Sequence, residues 1–111
     1  MLSKKYRLTK NGSFSYLYTH GSRASVRLIK LNYAPSKSGV KIGFSVNNKI
    51  GHAVVRNKVK RRMRAIAGEL LPLLKPCQLV FVVSVGVDQL SFAEIRTRMY
   101  ALIHKAGLMR E

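Results

Sequence analysis

The residues best suited to chemistry in this sequence are cations spaced along one side of a predicted helix over residues 53–71. At about 100° per residue, Arg56, Lys60 and Arg64 face one direction, and Asn57 and Arg61 lie beside them. Like charges one helical turn apart repel each other by about 0.2–0.5 kcal/mol per pair, so folding alone gives no reason for this arrangement. Phosphate oxygens would neutralise these cations, and the planar guanidinium group matches their geometry. The pattern therefore predicts a helix that binds a nucleic-acid backbone.

The opposite side of the same helix is apolar and suits packing onto a sheet. The apolar residues are Val55, Val59, Met63, Ile66 and Leu70. Lys58 and Arg62 fall on the far flank. A basic amphipathic helix can also lie on a membrane surface. This small chain needs the apolar side for its core, however, and the helix contains no Trp or Phe. A nucleic acid is therefore the favoured partner.

The overall charge also indicates a polyanionic partner. The 111 residues include 21 Lys and Arg but only 4 Asp and Glu, a formal net charge of +17, and no acid precedes Glu69. The single Cys77 excludes a disulfide scaffold, and no apolar run approaches the ~18 residues of a membrane span. The N-terminal residues lack the apolar core of a secretory signal. We therefore expect a cytoplasmic protein with no membrane partner.

The candidate catalytic and metal-binding side chains are too scattered to form a recognisable site. The carboxylates without ligand spacing are Glu69, Asp88, Glu94 and Glu111. The histidines, also far apart, are His20, His52 and His104. Phosphodiester cleavage by two metal ions needs carboxylates to hold the ions, so we expect no catalytic residue and no protein-bound metal. Three other classes of basic protein stay open from charge and composition. They are a ribosomal or structural RNA-binding protein, a stand-alone metal nuclease and a DNA-binding helix-turn-helix module.

The rest of the sequence predicts elements that position the basic helix within one α+β domain over residues 1–111, with residues 1–12 loosely held. The predicted order is a helix over 13–19, two or three strands within 23–33 and 40–46, the long helix over 53–71, a strand over 78–85 and a last helix over 91–107. Turn residues between 23–33 and 40–46 predict that the strands there are antiparallel neighbours. The apolar run of the strand over 78–85 predicts a central strand covered on both faces. Together the elements make a two-layer sandwich of one sheet and its helices.

Residues 44–64 resemble the signature of the bacterial ribonuclease P protein family. That signature contains Arg-Asn-Arg, then Lys-Arg two residues on and Arg three residues later. The matching residues are Arg56, Asn57, Lys60, Arg61 and Arg64. Lys58 stands where the family usually has Arg. Arg7-Leu8, Phe14 and Gly21 also fit the family pattern, so the resemblance covers nearly the whole chain.

The resemblance implies a fold, a set of partners and a division of labour. The implied fold is like the second domain of ribosomal protein S5, with a left-handed βαβ crossover. The implied holoenzyme removes the 5′ leader from precursor tRNA, and a catalytic RNA pairs 1:1 with the protein and holds most of the required magnesium. The protein alone would be inactive and would bind no metal tightly. The residues implied to bind the catalytic RNA are Lys49, Arg56, Asn57, Lys58, Lys60, Arg61 and Arg64.

A single-stranded leader needs cations for its phosphates and flat rings for its bases. Phe14 and Tyr18 are one turn apart and share one side of the first helix. The residues predicted to line a leader cleft are Arg7, Phe14, Tyr18, Lys30, Tyr33 and Lys41. Two alternatives stay open at this point. Phe14 and Tyr18 could be core residues, and a shift of one position in strand register would turn Tyr33 to the other face.

Overall fold

The computed structural model describes residues 6–8, 11–37 and 39–110. The α-helices in these ranges are α1 (Asn11–His20), α2 (Ala53–Leu70) and α3 (Phe92–Ala106). The strands are β1 (Ser22–Val26), β2 (Ile29–Pro35), β3 (Lys41–Ser45) and β4 (Cys77–Val83). The α+β class, the long helix and the last helix are confirmed.

The strand order β1-β2-β4-β3 places β4 in the interior of the sheet. β4 runs antiparallel to β2 and parallel to β3. The prediction of a central strand covered on both faces is confirmed, because Leu79, Val80 and Phe81 are fully buried. The prediction that the strands over 23–33 and 40–46 are neighbours is wrong. β4 lies between them because a strand that is apolar on both faces is best placed where both its edges are paired.

β3, α2 and β4 form a βαβ unit with a parallel strand pair. This unit fixes the position of α2. Because β3 and β4 are parallel, the helix must lead from the C-terminal end of β3 back to the N-terminal end of β4. The left-handed sense of the crossover stays a prediction.

The residues predicted as strand over 23–33 form two strands joined by a turn at Arg27 and Leu28. The sequence hides this turn because neither residue is one of the usual turn formers. Leu28 has a φ of 73°, a left-handed conformation that is rare for leucine. Its carbonyl oxygen accepts a hydrogen bond of 2.9 Å from the Ser84 N–H, which ties the turn to the end of β4.

The two faces of the sheet carry different layers. The main core lies between one face and the helices α2 and α3, and it includes Ile29, Leu31, Leu79, Phe81, Met63, Ile66 and Leu102. On the other face, α1 takes part in a smaller cluster of Leu8, Leu17, Ala34 and Val80, with Phe14 and Val82 against it. Side chains alternate along a strand. Even-numbered positions of β2 and β4 therefore face α1, and odd-numbered positions face α2 and α3.

The segment before α1 pairs with the outer edge of β3. The Leu8 N–H donates to the Ile42 carbonyl oxygen at 2.9 Å, and Arg7 forms a parallel bridge with Ile42. Of the residues predicted to be loosely held, 1–5 and 9–10 lie outside the described ranges. Residues 6–8 are anchored at this strand edge.

Both ends of α3 are capped within the chain. Ser91 Oγ accepts from the Glu94 N–H at 3.1 Å, and Glu94 Oε1 accepts from the Ser91 N–H at 3.0 Å. The helix ends at Gly107, which has a φ of 69°. Among the described residues, no helix is both long enough and apolar enough to span a bilayer.

Candidate nucleic-acid interface

α2 presents the predicted cations on the side opposite its buried stripe. We call this surface the basic side of α2, and it comprises Arg56, Asn57, Lys60, Arg61 and Arg64. Asn57 and Arg61 are exposed, and the other three are partly exposed. Within the described residues, none of these cations forms an ion pair with an acid. Their mutual repulsion is therefore uncompensated in this part of the chain.

The loop before α2 holds Lys49 next to this surface. Asn47 Oδ1 accepts a hydrogen bond of 2.7 Å from the Lys49 N–H and caps a short 3₁₀ turn over Asn48–Ile50. Arg56 Nε donates to the Gly51 carbonyl oxygen at 3.2 Å, which joins the loop to the first turn of α2. A Cβ at Gly51 would lie 3.1 Å from the Val55 Cβ, so the loop also packs closely on the helix. The loop that carries the exposed Lys49 is therefore joined to the end of α2 that carries Arg56.

Lys58 and Arg62 lie on the other flank of α2, as the helical spacing predicts. Arg62 Nη1 donates to the Leu90 carbonyl oxygen at 3.1 Å, so this guanidinium group is used within the fold. Lys58 is exposed and borders the same hollow as Arg62 and Asp88. The resemblance groups Lys58 with the RNA-binding cations, but the structure places it away from the basic side of α2.

A groove at the edge of β3 brings together four parts of the chain. We call it the β3-edge groove, and its lining residues are Arg7, Leu8, Phe14, Ile42, Gly43, Phe44, Lys60 and Arg64. Arg7 and Phe14 belong to the predicted leader cleft, whereas Lys60 and Arg64 belong to the predicted surface for a catalytic RNA. The two predicted sets therefore meet here, and Lys60 and Arg64 are part of both surfaces.

Phe14 packs closely on the backbone of β3. A Cβ built on Gly43 would lie 2.9 Å from Phe14 Cζ and 3.0 Å from Phe14 Cε1, so the glycine leaves room for the ring. The half-buried ring also contacts the cluster around Leu8 and lines the groove. Phe14 is thus both a core residue and a groove residue. Tyr18, one turn along α1, is 38% exposed and is not a core residue.

Lys30 and Lys41 lie on the sheet face that also carries α1. Their partners in the strand register are Val82 and Gln78 of β4. Both lysines are therefore on the same face as Phe14, although neither lines the β3-edge groove. This placement is compatible with a longer cleft that follows α1 across the sheet.

Tyr33 lies on the opposite face, and its place in the leader cleft is a prediction that the structure corrects. It is in register with Leu79 and packs against the main core. The physical reason is the alternation along β2, which turns Tyr33 to the same side as Leu31. Asn32, 8% exposed, occupies the α1 side at this point. The alternation of apolar and polar residues in β2 is the signal that identifies both placements.

The acids of the described residues are engaged within the fold. Glu69 Oε1 accepts from Arg96 Nε at 2.8 Å and from the Tyr100 hydroxyl at 3.1 Å. The hydrogen bond from Arg96 holds the pKa of the Glu69 carboxyl below its usual value. Hydrogen bonds with Ser91 do the same to the pKa of Glu94. In residues 6–8, 11–37 and 39–110, no three His, Cys, Asp or Glu side chains converge. This donor set does not fit a dedicated magnesium site.

The thiol of Cys77 is buried in the main core. The residue is 1% exposed, and burial raises the pKa of the thiol to about 11. The thiol is therefore protonated at neutral pH and closed to solvent. Cys77 packs as a small apolar residue.

These features define a class of protein. It is an α+β domain with an exposed basic helix side and a groove that combines cations with an aromatic ring. Cations bind phosphates, and a partly exposed ring accepts a stacked base. The class is that of nucleic-acid-binding domains.

Comparison with known proteins gives the family. The model of the family described as Ribonuclease P matches residues 2–107. The ribonuclease P protein component of Bacillus velezensis is 33% identical and covers 99% of this chain and 97% of its own length. That of Ligilactobacillus salivarius is 32% identical and covers 99% of this chain and 100% of its own length. The chain belongs to the ribonuclease P protein family, which ties it to tRNA processing within a ribonucleoprotein.

Solved structures share the fold. The RNase P protein from Staphylococcus aureus has a TM-score of 0.85 at 22% identity, with 100% of this chain and 97% of that chain covered. The RNase P protein from Thermotoga maritima has a TM-score of 0.81 at 20% identity, with 89% and 96% covered. At these identities the likeness establishes the fold, and the family assignment rests on the sequence matches.

Proposed function

We propose that this protein is the RNA-binding component of ribonuclease P. In this function it binds a catalytic RNA and the 5′ leader of precursor tRNA, and it assists endonucleolytic removal of the leader. The observation that carries the proposal is the junction of the basic side of α2 with the β3-edge groove at Lys60 and Arg64. The helix side offers cations, which suit the phosphates of a folded RNA. The groove adds an aromatic ring, which suits the unstacked bases of a single strand.

The catalytic RNA binds the outward part of the basic side of α2 and the loop before it. Arg56 and Arg61 supply planar forks for phosphate oxygens, and Asn57 adds an amide that can donate and accept. Lys49 extends this surface at the loop, and Lys58 adds a cation on the other flank of the helix. The exposure of these side chains and their lack of acid partners within the described residues support this assignment.

The 5′ leader binds along α1, starting from the β3-edge groove. Phe14 and Tyr18 offer rings to the bases, while Arg7, Lys30 and Lys41 neutralise phosphates. Lys60 and Arg64 stand where the leader meets the catalytic RNA. The close packing of Phe14 on Gly43 supports this role, because it fixes the ring at the groove.

The RNA partner carries the catalysis and holds most of the magnesium that the reaction requires. This part of the proposal is supported by the chemistry of the acids, since Glu69 and Glu94 are used in hydrogen bonds within the fold. The protein supplies binding and positioning only. One protein acts with one RNA, in the cytoplasm.

Cleavage of a 5′-extended precursor tRNA at low magnesium tests this function. The catalytic RNA, the protein and the mixture are assayed separately. We expect that only the mixture cuts efficiently, at the mature 5′ end of the tRNA. Cleavage by the protein alone would show an active site in the chain. A mixture no faster than the RNA alone would show that the protein is a different kind of RNA-binding protein.

A further inference from the structure

A second basic groove lies at the opposite edge of the sheet. We call it the β1-edge groove, and the polar residues that line it are Arg23, Ser25, Lys30, Asn32 and Lys105. Three of these five are cations, contributed by β1, β2 and α3. β1 and β3 are the two edge strands, so the two grooves are separated by the width of the sheet, about 14 Å at ~4.8 Å per strand.

Two of the cations in the β1-edge groove are held in place by the backbone. Arg23 Nη2 donates to the Tyr18 carbonyl oxygen at 2.8 Å, and Lys105 Nζ donates to the Ser25 carbonyl oxygen at 3.0 Å. A guanidinium group has five N–H donors and an ammonium group has three, so each keeps donors for a second partner. Arg23 and Lys105 are therefore restrained beside the groove before an anion binds, which lowers the entropic cost of binding it.

No acid neutralises this groove among the described residues. Glu69 pairs with Arg96, Glu94 caps α3, and Asp88 borders the hollow beside Lys58 and Arg62. The carbonyl oxygens of Tyr18 and Ser25 each accept one hydrogen bond from a cation of the groove. These oxygens carry no net charge, so they do not neutralise the cations. The potential in the groove is therefore positive, and its natural ligand is an anion with several phosphate groups.

α1 connects the β1-edge groove to the β3-edge groove. Near its start, Phe14 packs on Gly43 of β3. At its end, a Cβ on Gly21 would lie 3.0 Å from the Tyr33 carbonyl oxygen of β2, and the Tyr18 carbonyl oxygen binds Arg23 of β1. The helix therefore crosses the sheet from β3 towards β1. A single strand that follows α1 from the β3-edge groove would reach Lys30 and Arg23 on the α1 face. At the outer edge of β1 it would meet Lys105, which extends from α3 to the Ser25 carbonyl oxygen.

We propose that the β1-edge groove binds phosphates in the distal part of the 5′ leader, beyond the nucleotides held at the β3-edge groove. This inference rests on the proposed function, because it needs the leader to run along α1. The distal leader is favoured over the catalytic RNA as the source of these phosphates. The groove lies at the end of α1, where Arg23 binds the Tyr18 carbonyl oxygen. It lies at the other edge of the sheet from β3, where Lys60 and Arg64 of the basic side of α2 line the β3-edge groove.

The test measures the affinity of the reconstituted holoenzyme for three RNAs that differ only at the 5′ end. These are a precursor tRNA with a long leader, one with a short leader and the mature tRNA. Lys105→Gln removes a charge from the β1-edge groove. Lys75→Gln is the matched control, because Lys75 is exposed and does not line this groove.

We expect Lys105→Gln to weaken binding of the long-leader precursor by about three- to tenfold and to leave the other two RNAs unchanged. The slope of log affinity against log salt should fall by about 0.7 for the long leader only. Lys75→Gln should leave all three affinities unchanged. Arg23→Gln should repeat the pattern of Lys105→Gln, and the melting temperature of each variant shows that the fold is intact.

Two results would overturn the inference. An equal loss for all three RNAs would assign the groove to the catalytic RNA, and unchanged affinities in both groove variants would remove the groove from RNA binding. Phe14→Ala, assayed in parallel, separates this inference from the proposed function. If Phe14→Ala weakens binding of both leader-bearing RNAs and Lys105→Gln has no effect, the proposed leader cleft is supported and its extension to the β1-edge groove is contradicted. Equal losses for precursor and mature tRNA in Phe14→Ala would contradict the leader cleft itself.

Discussion

The basic side of α2 and the β3-edge groove differ in how they are built and in what they can distinguish. The basic side comes from one helix, and its residues lie within positions 56–64. The groove is assembled from the segment before α1, α1 itself, β3 and α2. The first surface needs only exposed cations, whereas the second also needs the close contact of Phe14 with Gly43.

Under the proposed function, RNA affinity and selectivity for a single strand therefore have separate sources. Cations on a helix attract any phosphate backbone and give a salt-dependent affinity. A ring beside cations favours nucleotides whose bases are unpaired. Lys60 and Arg64 belong to both surfaces, so changing them cannot separate the two effects. Arg61 and Phe14 each belong to one surface and are the informative positions.

The largest expected effect is on binding of the catalytic RNA. Arg61→Ala should weaken this binding by about tenfold and reduce the salt slope by about one, because one phosphate contact is lost. Titrations of the labelled RNA at several salt concentrations measure both quantities. Arg62→Ala is the neighbouring control, since its guanidinium group binds the Leu90 carbonyl oxygen.

The Arg62→Ala control should behave in the opposite way. It should lower the free energy of unfolding by about 0.5–1.5 kcal/mol, because a hydrogen bond within the fold is lost, and it should leave RNA affinity nearly unchanged. If the neighbouring arginines Arg61 and Arg62 have equal effects on RNA affinity, the assignment of one side of α2 to RNA is contradicted.

A smaller effect is expected from Gly43→Ala, which perturbs the β3-edge groove without removing the ring. The new Cβ would lie 2.9 Å from Phe14 Cζ and displace it. We expect the preference of the holoenzyme for precursor over mature tRNA to fall by about fivefold, since part of a stacking interaction is lost. Ser45→Ala, on the same face of β3, is the control and should have no effect. An unchanged preference in Gly43→Ala would show that the position of Phe14 is not important for leader binding.

Sulfate should stabilise the free protein by relieving repulsion on the basic side of α2. We expect a gain of about 1 kcal/mol in the free energy of unfolding at sulfate concentrations several times the dissociation constant. Thermal melts in sulfate and in chloride at equal ionic strength measure this gain. A variant with Arg56, Arg61 and Arg64 all changed to Ala should gain much less. An equal gain in the variant would mean that sulfate acts generally rather than at this surface.

The smallest expected effect is on the pH dependence of stability. It comes from Glu69 and Glu94, which lie outside the basic side of α2 and the β3-edge groove. Because the folded pKa of Glu69 and of Glu94 is below the usual 4.5, each carboxylate stabilises the fold above that pH. This stabilisation should be lost as the pH falls from 4.5 through the lowered values. The free energy of unfolding, measured by urea denaturation above and below this range, should depend less on pH in Glu94→Gln than in the unchanged protein. A pH dependence unchanged by this substitution would contradict the role of the Ser91–Glu94 capping box.

The sequence predicts what depends on local patterns and misses what depends on pairing between distant segments. The two sides of α2 follow from helical spacing, and the burial of β4 follows from its apolar run; both patterns lie within one element. The interior position of β4 between β2 and β3 does not, because it is decided by contacts between elements far apart in sequence. The turn at Arg27 and Leu28 contains no turn-forming residue, so it too escapes local reasoning.

The leader cleft shows the same limit at the level of single residues. Phe14 is predictable from its type and its position on α1. Gly43 becomes informative only when the ring is seen against it, since a glycine in a strand has several possible meanings. Tyr33 lies on the face opposite α1, because the alternation along β2 decides its placement and its residue type does not. Asn32, which faces the α1 side instead, is not prominent by type.

The most direct test of the two-surface account compares Phe14→Ala with Arg61→Ala in the reconstituted holoenzyme. The measured quantity is the ratio of the affinities for precursor and mature tRNA, at one salt concentration and with the catalytic RNA saturated by protein. The account predicts that Phe14→Ala lowers this ratio by about tenfold, whereas Arg61→Ala leaves it unchanged. Equal losses for precursor and mature tRNA in Phe14→Ala, or a ratio lowered as strongly by Arg61→Ala, would contradict the account.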